Sequence, residues 1–102
     1  MNESNCFIQN NQLKITGKLN FETVPVIQKQ LSRLAPSGAL WVVDLSAITY
    51  SDSAGLALLT ALSRRAKQCN TEIEYRHVPE QMLAMAKVSG LAVVLNLGIS
   101  NE

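Results

Sequence analysis

Residues 40–56 read Leu40-Trp41-Val42-Val43-Asp44-Leu45-Ser46-Ala47-Ile48-Thr49-Tyr50-Ser51-Asp52-Ser53-Ala54-Gly55-Leu56. Leu40 to Val43 is a continuous apolar run, the pattern of a strand covered on both faces, so it belongs at the centre of a sheet. The pattern that follows predicts a loop from Ser46 to Asp52, then a helix capped by Ser53 and running to about Cys69. A strand feeding a long helix points to α/β layers.

The flanking segments agree with that reading. Upstream, a weak strand signal at Cys6 to Gln9 turns at Asn10-Asn11 into Leu13 and Ile15 and breaks at Gly17, which reads as a hairpin. Thr23 is a plausible cap for a helix with Pro25 in its first turn, and Val24, Ile27, Leu31 and Leu34 fall on one side of it. Pro36-Ser37-Gly38 stops it. Downstream, Thr71, Ile73, Tyr75 and His77 alternate with Glu72, Glu74 and Arg76, giving a strand wetted on one side and placed near an edge. Pro79 opens a third helix with Met82, Leu83, Met85 and Ala86 inward, and Gly90 sits where a left-handed cap belongs. Val93, Val94 and Leu95 add a short strand or pack as a tail. Trp41, Phe7 and Phe21 are assigned to the core.

Composition bounds the function. With 102 residues the chain makes one domain, residues 1–102, and folding should hide roughly two thirds of the surface the unfolded chain exposes. The 47% hydrophobic content supplies a core, and 17% charged residues argue against disorder. Nine Lys and Arg against eight Asp and Glu leave a net charge of +1, which does not suit an electrostatic nucleic-acid binder. No run approaches the ~18 apolar residues of a membrane span and the start lacks a basic segment leading into an apolar one, so the expected location is cytoplasmic, without direct membrane insertion. Cys6 and Cys69 form no CxxC and are accompanied by one His, which supports neither a structural metal nor a disulfide.

Asp52-Ser53-Ala54-Gly55-Leu56 is the stretch that carries functional information. A helix N-terminus has unpaired backbone N–H groups and the positive end of the helix dipole, and here it is built from small residues with little side-chain cover. Ser53 reads most simply as a cap worth about 1 kcal/mol against Ala. A phosphate on it would instead bring roughly −1.5 to −2 charge to a place with donors to receive it and present that charge to a docked partner. On a helical wheel Leu58, Leu59, Leu62, Ala66 and Cys69 form the apolar stripe, while Leu56 falls outside it beside Thr60, Ser63, Arg64 and Lys67. The candidate docking surface is therefore Ser53, Ala54, Gly55, Leu56, Thr60 and Arg64.

Asp44-Leu45-Ser46, Ile48 and Asp52 to Leu56 together resemble the signature of STAS domains, a family of anti-sigma-factor antagonists and transporter-associated regulatory modules. The resemblance extends to Gly17-Lys18-Leu19-Asn20, similar to the family's Gly-x-Leu-Asp with Asn20 in place of Asp, and to Ala86-Lys87-Val88-Ser89-Gly90-Leu91 near the end. It implies a single STAS-like α/β domain, a mixed β-sheet with helices packed mainly on one side, acting by protein contact and not by catalysis. In the antagonist branch the residue matching Ser53 is phosphorylated by a serine kinase. Asp52 to Leu59, the basic-ended helix and the short tail look most similar to the small STAS subunit of Mla-type lipid-asymmetry ABC transporters. That branch implies a cytoplasmic regulatory subunit held at the inner membrane by the transporter's ATPase subunit, and through it the permease complex.

Other chemistries fit poorly. Ser51-Asp52-Ser53-Ala54-Gly55 has Ser51 where a nucleophile elbow needs Gly. A hydrolase would also need His77, at the end of a predicted strand, beside Ser53. There is no Walker A and no Gly-x-Gly-x-x-Gly, so no nucleotide cofactor is expected. Asp44 and Asp52 read as loop caps more simply than as a metal site.

Overall fold

A computed structural model describes residues 4–34, 36 and 38–97. Strands β1 (Asn5–Gln9) and β2 (Gln12–Leu19) form an antiparallel hairpin. Asn10 and Asn11 both take positive φ, 53° and 63°, as a type I′ turn requires, so the Asn-Asn signal is confirmed. Gly17 does not end the strand: at φ +89° it sits beside a register shift, and pairing continues to Leu19.

From β2 the chain crosses through α1 (Val24–Leu31) to β3 (Leu40–Ser51), and from β3 through α2 (Ser53–Gln68) to β4 (Glu72–Arg76). The sheet order is β1-β2-β3-β4, with β2, β3 and β4 parallel. Right-handed crossovers that step along a sheet in one direction lay their helices on the same face. The chain is thus a single α/β domain with a four-stranded mixed sheet, as the sequence predicted. Helix α3 (Glu80–Ser89) follows Pro79 and ends at Gly90 in the left-handed conformation, φ +82°. The tail then forms a short helix, α4 (Leu91–Val94), and not a strand.

The core lies between sheet and helices. Leu13, Ile15 and Leu19 of β2 and Trp41, Val43 and Leu45 of β3 meet Ile27 and Leu31 of α1 and Leu58, Leu59 and Leu62 of α2. Met82 and Ala86 of α3 and Leu95 and Leu97 after α4 close it.

Several expectations are corrected. Strand β3 extends through the segment read as a loop, because Thr16 to Leu19 pair with Ala47 to Ser51. Leu40 is exposed, so the apolar run is covered fully on one face only. Phe7 and Phe21 are 39% and 75% exposed, and Trp41 alone of the three is core. Helix α1 ends at Leu31, earlier than the Pro36-Ser37-Gly38 stop, of which Ser37 lies outside the described residues. Strand β4 ends at Arg76, leaving His77 exposed at φ +59°. Cys69 is exposed at the end of α2 while Cys6 is buried, and both are free.

Candidate functional site

Helix α2 starts one residue after β3 ends, so its N-terminus emerges at the carboxyl edge of the parallel strands, where open α/β sheets place their sites. The cap is Asp52 and not Ser53. Asp52 takes an extended backbone, φ −107° and ψ −161°, and its carboxylate accepts from the Ala54 amide at 2.8 Å. A carboxylate also meets the positive end of the helix dipole better than a hydroxyl does. Relieved of capping, Ser53 is the first helical residue, exposed, and its hydroxyl enters no hydrogen bond among the described residues.

The Asp52 amide donates to the Leu19 carbonyl at 3.1 Å, which ties the α2 tip to the turn that follows β2. In that turn the Asn20 side-chain oxygen accepts from the amides of Glu22 at 2.9 Å and Thr23 at 3.0 Å. An amide oxygen suffices for those two bonds, which accounts for Asn at a position where the resembling motif has Asp. Thr23 does not cap α1 with its side chain. Its hydroxyl donates to the Lys18 carbonyl at 2.6 Å and accepts from the Asn20 amide at 2.9 Å. The turn so braced holds Phe21 outward.

Gly55 fixes how closely α2 approaches the sheet. A Cβ built there would lie 2.0 Å from the Ser51 hydroxyl oxygen and 3.0 Å from the Met82 methyl carbon. Ser51 itself is 2% exposed at the last position of β3. The glycine therefore brings the first turn of α2 down onto the strand end and α3 up beside it.

That proximity changes the predicted surface. Ala54, Gly55 and Leu56 are buried, Ala54 and Leu56 at 5% exposure. With α3 beside the first turn, α2 buries a wider arc than the one-stripe wheel allowed, and Leu56 belongs to it. Ser53 and Arg64 remain exposed, and Thr60 is half-buried with its hydroxyl donating to the Leu56 carbonyl at 3.0 Å. Ala57 is exposed one turn after Ser53, and the wheel centred on Leu56 overlooked it. Ser53, Ala57, Thr60 and Arg64 follow the i, i+4, i+7, i+11 spacing of a single face, and that spacing counted from Ser53 was the signal available.

Asp44 and His77 are placed away from Ser53. Asp44 is not a loop cap but sits inside β3, 4% exposed, paired with Lys14 at 2.6 Å and bonded by the Ser46 amide and hydroxyl at 3.1 Å each. Burial pushes its carboxyl up, and the hydrogen bonds from Lys14 and Ser46 outweigh that and hold it below the usual carboxylate range. β4 pairs with β3 only as far as Asp44, so His77 follows a strand that stops seven residues short of the Ser51 end. Among the described residues no group of three or more His, Cys, Asp and Glu is placed to hold a metal, and no helix is long and apolar enough to cross a membrane.

Over 91 residues the chain is 23% identical to the anti-sigma-B factor antagonist of Bacillus subtilis (strain 168), covering 89% of this chain and 84% of that protein. It is 24% identical over 92 residues to the anti-sigma-B factor antagonist of Staphylococcus aureus (strain NCTC 8325 / PS 47), covering 89% and 85%. Among solved structures it resembles Mglu with a TM-score of 0.57 and 19% identity over 76% of this chain, a likeness of fold alone. The chain spans only 20% of that protein's length. The family model described as "Mlab, STAS domain" matches residues 8–97, so the chain belongs to the STAS-domain family.

Proposed function

We propose that this protein is a non-catalytic regulatory and assembly subunit that binds the ATPase subunit of a phospholipid-transporting, Mla-type ABC transporter. In that role it sits on the cytoplasmic side of the inner membrane, held to the permease through the ATPase, and serves outer-membrane lipid asymmetry. The observation that carries the reading is an exposed Ser53 at the head of α2, its hydroxyl without a hydrogen bond among the described residues, in a chain matched over residues 8–97 by the family model described as "Mlab, STAS domain". Ser53, Ala57, Thr60 and Arg64 form the contacting face, while Ala54, Gly55 and Leu56 set its height from beneath.

The test is co-purification of the tagged protein from its own cells in mild detergent. The ATPase and permease subunits should be recovered with the wild type and lost with Ser53→Glu, whose circular dichroism should be unchanged. Ala57→Arg should act in the same way. Leu56→Asp is unsuitable, since it would bury a charge and unfold the domain. Absence of transporter subunits from the wild-type eluate refutes the reading.

The names of the curated relatives favour a second reading, an anti-sigma-factor antagonist switched by phosphorylation of Ser53. Phosphate there would sit on an exposed residue at the positive end of α2 and carry about −1.5 to −2 charge into the contact. Stoichiometric phosphate on Ser53 with a co-purifying serine kinase would select this reading over the first.

A further inference from the structure

The charge of the molecule is unevenly distributed. The stretches 24–33 and 53–67 contain Lys29, Arg33, Arg64, Arg65 and Lys67 and not one Asp or Glu. Both helices follow parallel strands on one sheet face, so their basic C-terminal halves lie at the same end of the molecule. They also touch, because the Arg65 guanidinium donates to the Leu31 carbonyl. Ion pairs among the described residues are Lys14–Asp44 and Arg76–Glu74, so none of these five cations has a carboxylate partner there.

Between the two helices lies a hollow of about 150 Å³ lined by Gln28, Leu31, Leu58, Ala61, Leu62 and Arg65. Small-molecule sites run to roughly 300–1,000 Å³, whereas an apolar cavity of about 150 Å³ holds a single ring. The hollow therefore suits one protein side chain and is too small for a cofactor. Its apolar walls are Leu31, Leu58, Ala61 and Leu62. At the polar side Arg65 is anchored by the Leu31 carbonyl and keeps further N–H donors for an incoming acceptor. Cations near helix C-termini do favour the helix dipole, but the dipole explains neither the hollow nor the lack of Asp and Glu in its lining and in the two stretches that flank it.

The complement of an apolar hollow with Arg65 at its polar side, between two helices whose other cations have no ion-pair partner among the described residues, is an apolar side chain flanked by carboxylates. A lipid surface would meet the cations and leave the hollow empty. We propose that the groove between α1 and α2 docks an acidic peptide segment of a partner protein. One leucine-sized side chain seats against Leu31, Leu58 and Leu62, with carboxylates on Arg65 and the exposed Lys29. This surface lies on the flank of α2 and does not depend on which protein seats against Ser53.

The test titrates ¹⁵N-labelled full-length protein with a synthetic peptide of alternating glutamate and leucine. A peptide with lysine for glutamate and phosphatidylglycerol vesicles are the comparisons. Saturable shifts confined to the amides of Gln28, Leu31, Ala61, Leu62, Arg65 and their neighbours are expected with the acidic peptide alone. Lys29→Glu with Arg33→Glu, both at exposed positions, should weaken binding by about tenfold. Ala61→Glu, which fills the mouth of the hollow, should do the same, and a thermal melt confirms that each variant is folded. Shifts scattered over the surface, equal response to the lysine peptide, insensitivity to the charge reversals, or binding to the vesicles only would each overturn the proposal.

Discussion

Gly55 is where the sequence leaves least freedom, and the cause is contact, not backbone conformation. In an exposed helix Gly→Ala gains up to about 1 kcal/mol of helix propensity. Here the added methyl would fall 2.0 Å from the Ser51 hydroxyl oxygen and 3.2 Å from the Ser51 Cβ, so rotating the hydroxyl away does not clear the space. Overpacking of this kind costs about 1–3 kcal/mol, enough to reverse the sign. Gly55→Ala should therefore lower Tm by several degrees, and Ser51→Ala in the same chain should recover part of the loss, as a double-mutant cycle by thermal denaturation will show. At Ser53, exposed and without a side-chain hydrogen bond among the described residues, substitution should leave Tm nearly unchanged. The sequence made the start of α2 legible to within one residue, because helix ends announce themselves through small polar residues. It placed the cap one residue late, because Asp52 and Ser53 are adjacent and both of capping type, and it misassigned Leu56, because what covers the helix's first turn includes α3, nearly thirty residues further along the chain.

Among the elements, β3 shows why a strand can read as a loop. Ser46 to Ser51 mixes small and polar residues with Ile48, Thr49 and Tyr50, and its extension to 12 residues depends on a partner far upstream, with Lys18 opposite Tyr50 and Leu19 opposite Ser51. Strand preference is largely a preference for such neighbours, which a local pattern does not contain. The same holds for Asp44, an acid inside a strand that becomes intelligible only with Lys14 directly across from it. Its carboxyl is held low in the folded state, so its contribution to stability is complete above the unfolded value of about 3.9 and is lost as pH falls through the lower folded value. Urea midpoints measured from pH 7 down to pH 2 should fall along that limb. Asp44→Asn should flatten it while lowering stability at pH 7, and an unchanged acid limb would remove Asp44 as its source.

The whole molecule is a sheet clad on one face, and Tyr75 bonds an outer strand, β4, to the helical layer. Tyr75 of β4 is 7% exposed; its hydroxyl donates to the Leu59 carbonyl at 2.7 Å and shares a hydrogen bond with Ser63 at 2.6 Å, so the edge strand is bonded to the middle of α2 as well as packed beneath it. Burial pushes the phenol up to about 12, against the lowering effect of the Ser63 bond. The unfolded phenol ionises near 10. A group whose folded value is raised gives stability that is intact below the unfolded value and disappears as pH climbs through the folded one, so the domain should weaken between about pH 10 and 12. Tyr75→Phe keeps the ring and removes the titrating hydroxyl. At pH 7 it should cost about 1–2 kcal/mol for the lost bonds, yet its unfolding midpoint should fall less steeply than that of the wild type across the alkaline window. Parallel alkaline slopes for the two proteins would place the weakness elsewhere in the sheet.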